Sequence, residues 1–313
     1  MVQPRARRWV PGLGKPSPIR PRYLPALLVL PAFIVLLAIT IFPLVYTATL
    51  TLFSWELTTK APAQFVALGN FARVLFGDGR FWNAMRNTTV LVVFGVGLQV
   101  ILGTGLALLI NRLRRVRTLI VSLILIPVMI APVVAGFQFR MIYNDQYGPL
   151  NHIIEVLTGG LWSGTAWLAE PSVALISILI ADVWQWTPFM ILIVLAGLQA
   201  IPEELHEAAR VDGASAPQHA WHITLPLVMP VIVVGILVRM MDTFKLFDIV
   251  YQLTAGGPGS TTETVAYYTY LQGFKFFSLG YTAAMAVIQL IVITIVAKFF
   301  LGYQKRMQQR GSL

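Results

Sequence analysis

Apolar residues in this chain come in long unbroken runs, not in alternation and not in narrow stripes. Six runs reach the ~20 residues that a helix needs to cross a bilayer: Leu24–Leu52, Thr88–Ile110, Leu119–Phe139, Val173–Leu198, Leu227–Phe247 and Tyr281–Leu301. Leu, Ile, Val, Ala and Phe dominate each run, so helices are predicted; a transmembrane barrel would show short alternating segments instead. The first run is longer than a straight crossing requires, which predicts tilt or an extra turn. Pro25, Pro31, Pro43, Pro127, Pro132, Pro188 and Pro230 lie in the runs or at their edges. Neighbouring helices must satisfy the carbonyls they free. The predicted fold class is all-α: a polytopic transmembrane helical bundle of six spans over residues 23–303. A Pro- and Arg-rich segment, residues 1–22, precedes it and is expected to be a disordered basic tail; residues 304–313 form a short C-terminal tail.

Composition supports this reading. The 313 residues are 57% hydrophobic and 12% charged, with a mean hydropathy of +0.74, whereas soluble domains carry about 25% charged residues. The net charge of +10 does not point to nucleic acid, because Lys and Arg cluster in short segments beside the apolar runs, the pattern that orients a membrane protein. With the N-terminus inside, fourteen Lys and Arg face the cytoplasm and six the exterior. Both termini are therefore expected to be cytoplasmic. Arg7-Arg8 precedes no short apolar region with a small-residue cleavage site, so the first span is expected to be uncleaved. The absence of cysteine excludes disulfides, Cys-ligated zinc and thiol nucleophiles. No internal repeat supports an inverted-repeat transporter. No Gly-x-x-x-x-Gly-Lys-Ser/Thr occurs, so nucleotide chemistry is not expected in this chain.

One polar segment, 199–226, separates the fourth and fifth runs on the inner side. Pro202 suits the first position of a helix. Glu203 and Glu204 follow in the first turn, where the helix dipole favours negative charge. Leu205, Ala208, Ala209 and Val211 supply a small apolar surface that lets another backbone come close. Glu207, Arg210 and Asp212 add charge, and Gly213 suits a left-handed cap. Leu225-Pro226 then leads into the fifth span. Such a helix either merely connects two spans at the interface or transmits force to them, being tied to a span at each end.

Polar residues inside the runs are candidate chemistry. The fourth span carries Asp182, Trp184, Gln185, Trp186 and Thr187, read either as a set that contacts a transported ligand or, for the tryptophans, as an interfacial aromatic belt. The fifth carries Arg239, Asp242, Lys245 and Asp248, each three apart. That spacing allows a self-neutralising ladder along one helix or the lining of a polar path. Gly256, Gly257, Pro258 and Gly259 follow in an outer loop, either as a partner contact or as a simple turn. No catalytic constellation emerges. His206-Glu207 lacks a second histidine at Arg210, and His219 and His222 share a helix face without a third ligand, so no metal site is expected and surface histidines are the better reading.

The spacing Glu207-Ala208-Ala209, three residues, Gly213, nine residues, Ile223, one residue, Leu225-Pro226 resembles the cytoplasmic signature of binding-protein-dependent ABC import permeases. The resemblance extends over nearly the whole chain after Tyr23. Asp182 to Phe189, Leu195 to Gln199, Ile201 to Leu205, Phe247 to Tyr251, Leu253 to Gly259 and Phe65 to Phe71 look like the carbohydrate-uptake branch, similar to maltose and glycerol-3-phosphate importers. Ala67 departs from it, standing where glycine is more familiar. The resemblance implies the type I ABC importer permease fold and the first of two non-identical permease subunits in a bacterial or archaeal cell membrane. It implies four partners or partner pairs: a second permease, two ATPase subunits that bind ATP and Mg²⁺, an extracytoplasmic sugar-binding protein, and lipid. Glu207 would be the charged contact to the ATPase, within a coupling helix from about Pro202 to Gly213. The rival readings are a secondary transporter using Asp182 or Asp242 and a membrane-embedded enzyme.

Overall fold

The computed structural model describes residues 23–113, 115–161 and 164–311, without the side chains of Arg210 and 307–311. The basic tail 1–22 expected to be disordered, Arg114, and residues 312–313 of the C-terminal tail lie outside the described residues. The chain divides after Thr49 into two units. All but the last residue of helix α1 (Leu24–Leu50) belongs to the first; the helix runs through Pro31, and none of its residues is buried.

In the second unit, α2 (Gly79–Arg112) begins well before Thr88. The reason is local: the Asp78 carboxylate accepts the Phe81 backbone N–H at 3.0 Å and caps the helix, and a hydropathy reading sees only the apolar part beyond it. The third run is not one continuous span. It forms α3 (Arg117–Ile124), α4 (Ile126–Met129) and α5 (Pro132–Ile142). Proline disfavours helical geometry in the residue before it, and Ala131 (ψ 136°), like Ile130 (ψ 132°), is extended just before Pro132. Amphipathic α6 (Pro149–Thr158) follows, then α7 (Pro171–Gln199), which is continuous through Pro188. Next come α8 (Glu203–Val211) and α9 (Ala216–Thr243), the latter starting in the polar segment and not at Leu227. Short helices α10 (Asp248–Leu253) and α11 (Val265–Tyr270) lead to α12 (Leu279–Gly311). Among the described residues, five helices are long and apolar enough to cross a membrane: α1, α2, α7, α9 and α12. The sixth expected crossing falls on the broken α3–α5 run, which holds no helix long enough to span.

Helices α2, α7 and α9 share an apolar core of Ala107, Ile191, Val194, Leu195, Val228 and Ile232. At Gly103 the backbones come so close that a Cβ would stand 2.6 Å from the Met190 Cβ. Only glycine admits that approach. A second cluster joins α5, α7 and α10 through Phe139, Ile178, Ile249 and Val250. A third joins α2, α11 and α12 through Phe81, Val265, Tyr268 and Met285. Two short strands, β1 (Phe53–Ser54) and β2 (Gln64–Phe65), pair antiparallel. Buried Asn70 holds the adjoining turn by donating to the Thr51 and Phe53 carbonyls at 2.8 and 2.9 Å.

Candidate functional site

Helix α8 carries its charge outward. Glu203, Glu204, Glu207 and Ala208 are exposed, as are Asp212 and Gly213 beyond it, while Ala209 is 4% exposed and seats the helix. Ala209 therefore presents no outer surface, unlike Ala208. The Arg210 side chain lies outside the described residues. Pro202 precedes the helix, and its carbonyl accepts the Leu205 N–H at 3.2 Å. At the other end Gly213 has φ +74°, and the Ala214 N–H reaches back to the Ala209 carbonyl at 3.0 Å. This is the left-handed cap that glycine favours. Leu225 packs against the α2–α7–α9 core, and Pro226 is exposed on the first turns of α9.

Sequence reasoning missed one contact here. His206 of α8 and His219 of α9 meet ring to ring, Nδ1 to Nε2, at 2.9 Å. His222 instead bonds the Gln218 carbonyl at 3.1 Å. Helical spacing pairs His219 with His222, and only the turn at Gly213 brings His206 across. Behind α8 lies a cavity of about 760 Å³ whose lining includes Arg112, Arg117, Gln199 and both paired histidines. Among the described residues no group of three metal-ligating side chains forms.

The polar residues of α2, α7 and α9 converge in the middle of the bundle. Arg239 is 1% exposed and Asp182 2%. The Arg239 Nη2 donates to Asp182 at 3.2 Å and to Thr243 Oγ1 at 3.1 Å, and its Nε to Gln99 Oε1 at 2.9 Å. Gln99 closes the ring by donating to Asp182 Oδ2 at 2.8 Å. The guanidinium also lies over the Trp186 ring, 4.4 Å from its centre. A buried guanidinium and carboxylate are tolerated when paired and hydrogen-bonded in this way. The i,i+3 ladder exists as Arg239–Asp242 at 3.9 Å and Asp242–Lys245 at 3.5 Å, but Arg239 takes its closest partners from other helices. Lys245 and Asp248 stand beyond α9, which ends at Thr243, so Asp248 is not a rung of one helix.

Asp182, Trp186, Arg239, Asp242, Lys245 and Asp248 line one cavity of about 280 Å³. The other residues singled out on α7 do not, because each step along a helix turns the side chain by about 100°. Trp184 is 40% exposed and packs edge-on to Phe139. Thr187 bonds the Val183 carbonyl of its own helix at 2.6 Å. Gln185, fully buried, donates to the Ile130 carbonyl at 2.9 Å.

The Gly256–Gly259 loop is held, not free. Gly256 (φ +80°) is buried, and a Cβ there would stand 2.7 Å from Glu263 and Tyr267. Gly257 accepts the Thr262 hydroxyl at 2.8 Å, and Pro258 that of Thr261 at 2.8 Å, while Gly259 is exposed. Asn83 and Asn87 of α2 donate to the Ser260 and Thr261 carbonyls at 2.7 and 2.9 Å, and Arg80 pairs with Glu263 at 2.6 Å. Beside them Asp78 accepts the Tyr268 hydroxyl at 2.8 Å and that of Tyr281. Burial pushes the Asp78 carboxyl up, but hydrogen bonds from Tyr281, the Phe81 N–H, Tyr268 and the Arg80 N–H outweigh it and hold it below its usual range.

With this geometry stand four likenesses to known families and proteins. Residues 99–309 match the family described as binding-protein-dependent transport system inner membrane component. The chain is 37% identical over 279 residues to the trehalose/maltose transport system permease protein MalF of Thermococcus litoralis, covering 89% of this chain and 92% of that one. It is 35% identical over 298 residues to the sulfoquinovosyl glycerol transport system permease protein SmoG of Agrobacterium fabrum, covering 95% and 93%. Its fold is similar to that of a chain in the crystal structure of a bacterial alginate ABC transporter in complex with an alginate pentasaccharide-bound periplasmic protein. The TM-score is 0.80 at 21% identity, over 91% of this chain and 95% of that one.

Proposed function

Because this chain belongs to the family of binding-protein-dependent transport system inner membrane components, we propose that it is one of two non-identical permease subunits of an ATP-driven importer for a sugar or a related polyol or glycerol phosphate. The relatives named for trehalose/maltose and sulfoquinovosyl glycerol transport support the substrate class. The partners are a second permease, two ATPase subunits that bind ATP and Mg²⁺, and an extracytoplasmic binding protein. The chain carries no nucleotide chemistry of its own. Both termini are cytoplasmic, which puts α8 on the ATPase side.

The observation that carries this reading is α8 itself. It is a short helix with exposed Glu203, Glu204 and Glu207, capped at Gly213 and flanked directly by α7 and α9. An ATPase that grips it moves both spans together. Those same two spans carry Asp182 and Arg239, so displacement at the cytoplasmic face reaches the polar cavity through continuous helix. The Gly256–Gly259 turn, anchored to α2, faces the binding protein. Uptake of radiolabelled sugar by cells expressing the full system should vanish when the ATPase subunits are deleted. Uptake that survives their deletion would overturn the proposal in favour of a secondary transporter working through Asp182 or Asp242.

A further inference from the structure

Five ionisable groups line the 280 Å³ cavity: the carboxylates Asp182, Asp242 and Asp248 and the cations Arg239 and Lys245. They are not equally available to a ligand. Arg239 and Asp182 face each other at 3.2 Å and are buried. Asp242 and Lys245 are partly open, 44% and 59% exposed, and pair at 3.5 Å. Asp248 remains. It is the first residue of α10, partly exposed, and among the described residues its carboxylate takes part in no hydrogen bond or ion pair. The uncompensated charge of the cavity is therefore a single carboxylate.

We propose that this cavity takes uncharged, hydroxyl-rich ligands and rejects anions, with Asp248 as the residue that sets the preference. The inference rests on the reading that substrate passes through the cavity, and it narrows the substrate class. An ionised carboxylate only accepts hydrogen bonds. It serves the O–H donors of a neutral sugar or polyol with charge-assisted bonds, and it offers a phosphate, sulfonate or carboxylate only repulsion. That is discrimination by a misplaced like charge, sharpened where protein and lipid lower the local dielectric. Neither cation offsets it: Arg239 already serves Asp182, Gln99 and Thr243, and Lys245 is held by Asp242. Trp186 and Phe247 border the same space and supply apolar ring faces for a sugar's C–H surface. The volume sits just below the roughly 300–1,000 Å³ of small-molecule sites, which suits a small ligand.

The test is calorimetric binding to the purified complex of both permeases and the ATPase subunits, without the binding protein, using maltose, trehalose and glycerol as neutral probes and glycerol-3-phosphate and glucuronate as anions. At least one neutral probe should bind and neither anion should. Asp248→Asn should weaken neutral binding about tenfold or more, the size of one lost charge-assisted hydrogen bond, and Asp248→Lys should admit glycerol-3-phosphate. Co-purification with the other subunits checks that each variant is folded, and the near-isosteric Asn variant decides if the Lys variant does not assemble. An anion that binds as tightly as any neutral probe, or an Asp248→Asn variant with unchanged neutral binding, overturns the inference while leaving the transport reading intact. Failure of all five probes to bind the wild-type assembly overturns the sugar reading and this inference with it.

Discussion

Arg239 on α9 and Asp182 on α7 form a fully buried ion pair whose remaining valences are taken by Gln99, Thr243 and the Trp186 ring. Removing one partner leaves an unpaired charge in the bundle. Asp182→Ala is expected to cost about 3–5 kcal/mol, read as a lowered melting temperature of the purified assembly. Asp182→Leu with Arg239→Met, which removes both charges, should recover much of that loss. A single variant as stable as wild type would refute the assignment of this pair as the electrostatic tie between the two spans.

Glu207 stands exposed on α8. Glu207→Ala should cut sugar uptake and ATPase co-purification together, while the permease pair still assembles and the binding protein still delivers substrate. Uptake and co-purification at wild-type levels would contradict the docking role.

Gly213 ends α8 with φ +74° and has no atom within 4 Å of a Cβ placed on it. Strain, not crowding, therefore decides a substitution. Gly213→Ala should cost about 1 kcal/mol, the penalty of a left-handed L-residue, and Gly213→Pro should abolish coupling, since proline is locked near φ −65°. Gly213→Asn should be the mildest of the three; an equal loss in all three would point to a contact surface instead.

Gly103 meets Met190 at the α2–α7 crossing. Gly103→Val should destabilise by about 1–3 kcal/mol through overpacking, and Met190→Ala in the same chain should return part of it. Additive losses in a double-mutant cycle would show that the two do not share that space.

Asp78 has a folded-state pKa below the unfolded value of about 3.9. The sign follows from linkage: the unfolded chain binds the proton more readily, so the contribution to stability is complete above about pH 5 and fades as pH falls through the folded pKa. Thermal melts from pH 7 to pH 3 should be flat at first and drop only at the acid end. Asp78→Asn should lower stability at neutral pH and flatten the acid drop; an unchanged acid drop would assign it to other carboxylates.

The apolar runs were legible because a lipid-spanning helix needs an uninterrupted stretch, and α7 shows how directly that constraint is written. The caps of α8 were legible for the same kind of local reason, in Gly213 and the paired Glu203 and Glu204. Lateral partners were not. Spacing alone links Arg239 to Asp242 three residues on, and nothing in it names Gln99 or Asp182, which approach from other helices. His206 and His219 were separated by a turn whose direction no periodicity encodes. The interrupted third run had its cause in plain view in Pro127 and Pro132, yet hydropathy averages across such a break.

Gln185 donates to the carbonyl of Ile130, the residue where α4 gives way to the extended link before Pro132. That carbonyl has no helical partner of its own, and hydrocarbon offers none. The kink is thus stitched to α7 at a fixed height. An insertion or deletion of one residue in either segment would slide the stitch off its anchor, so these two stretches are bound to change length only in concert.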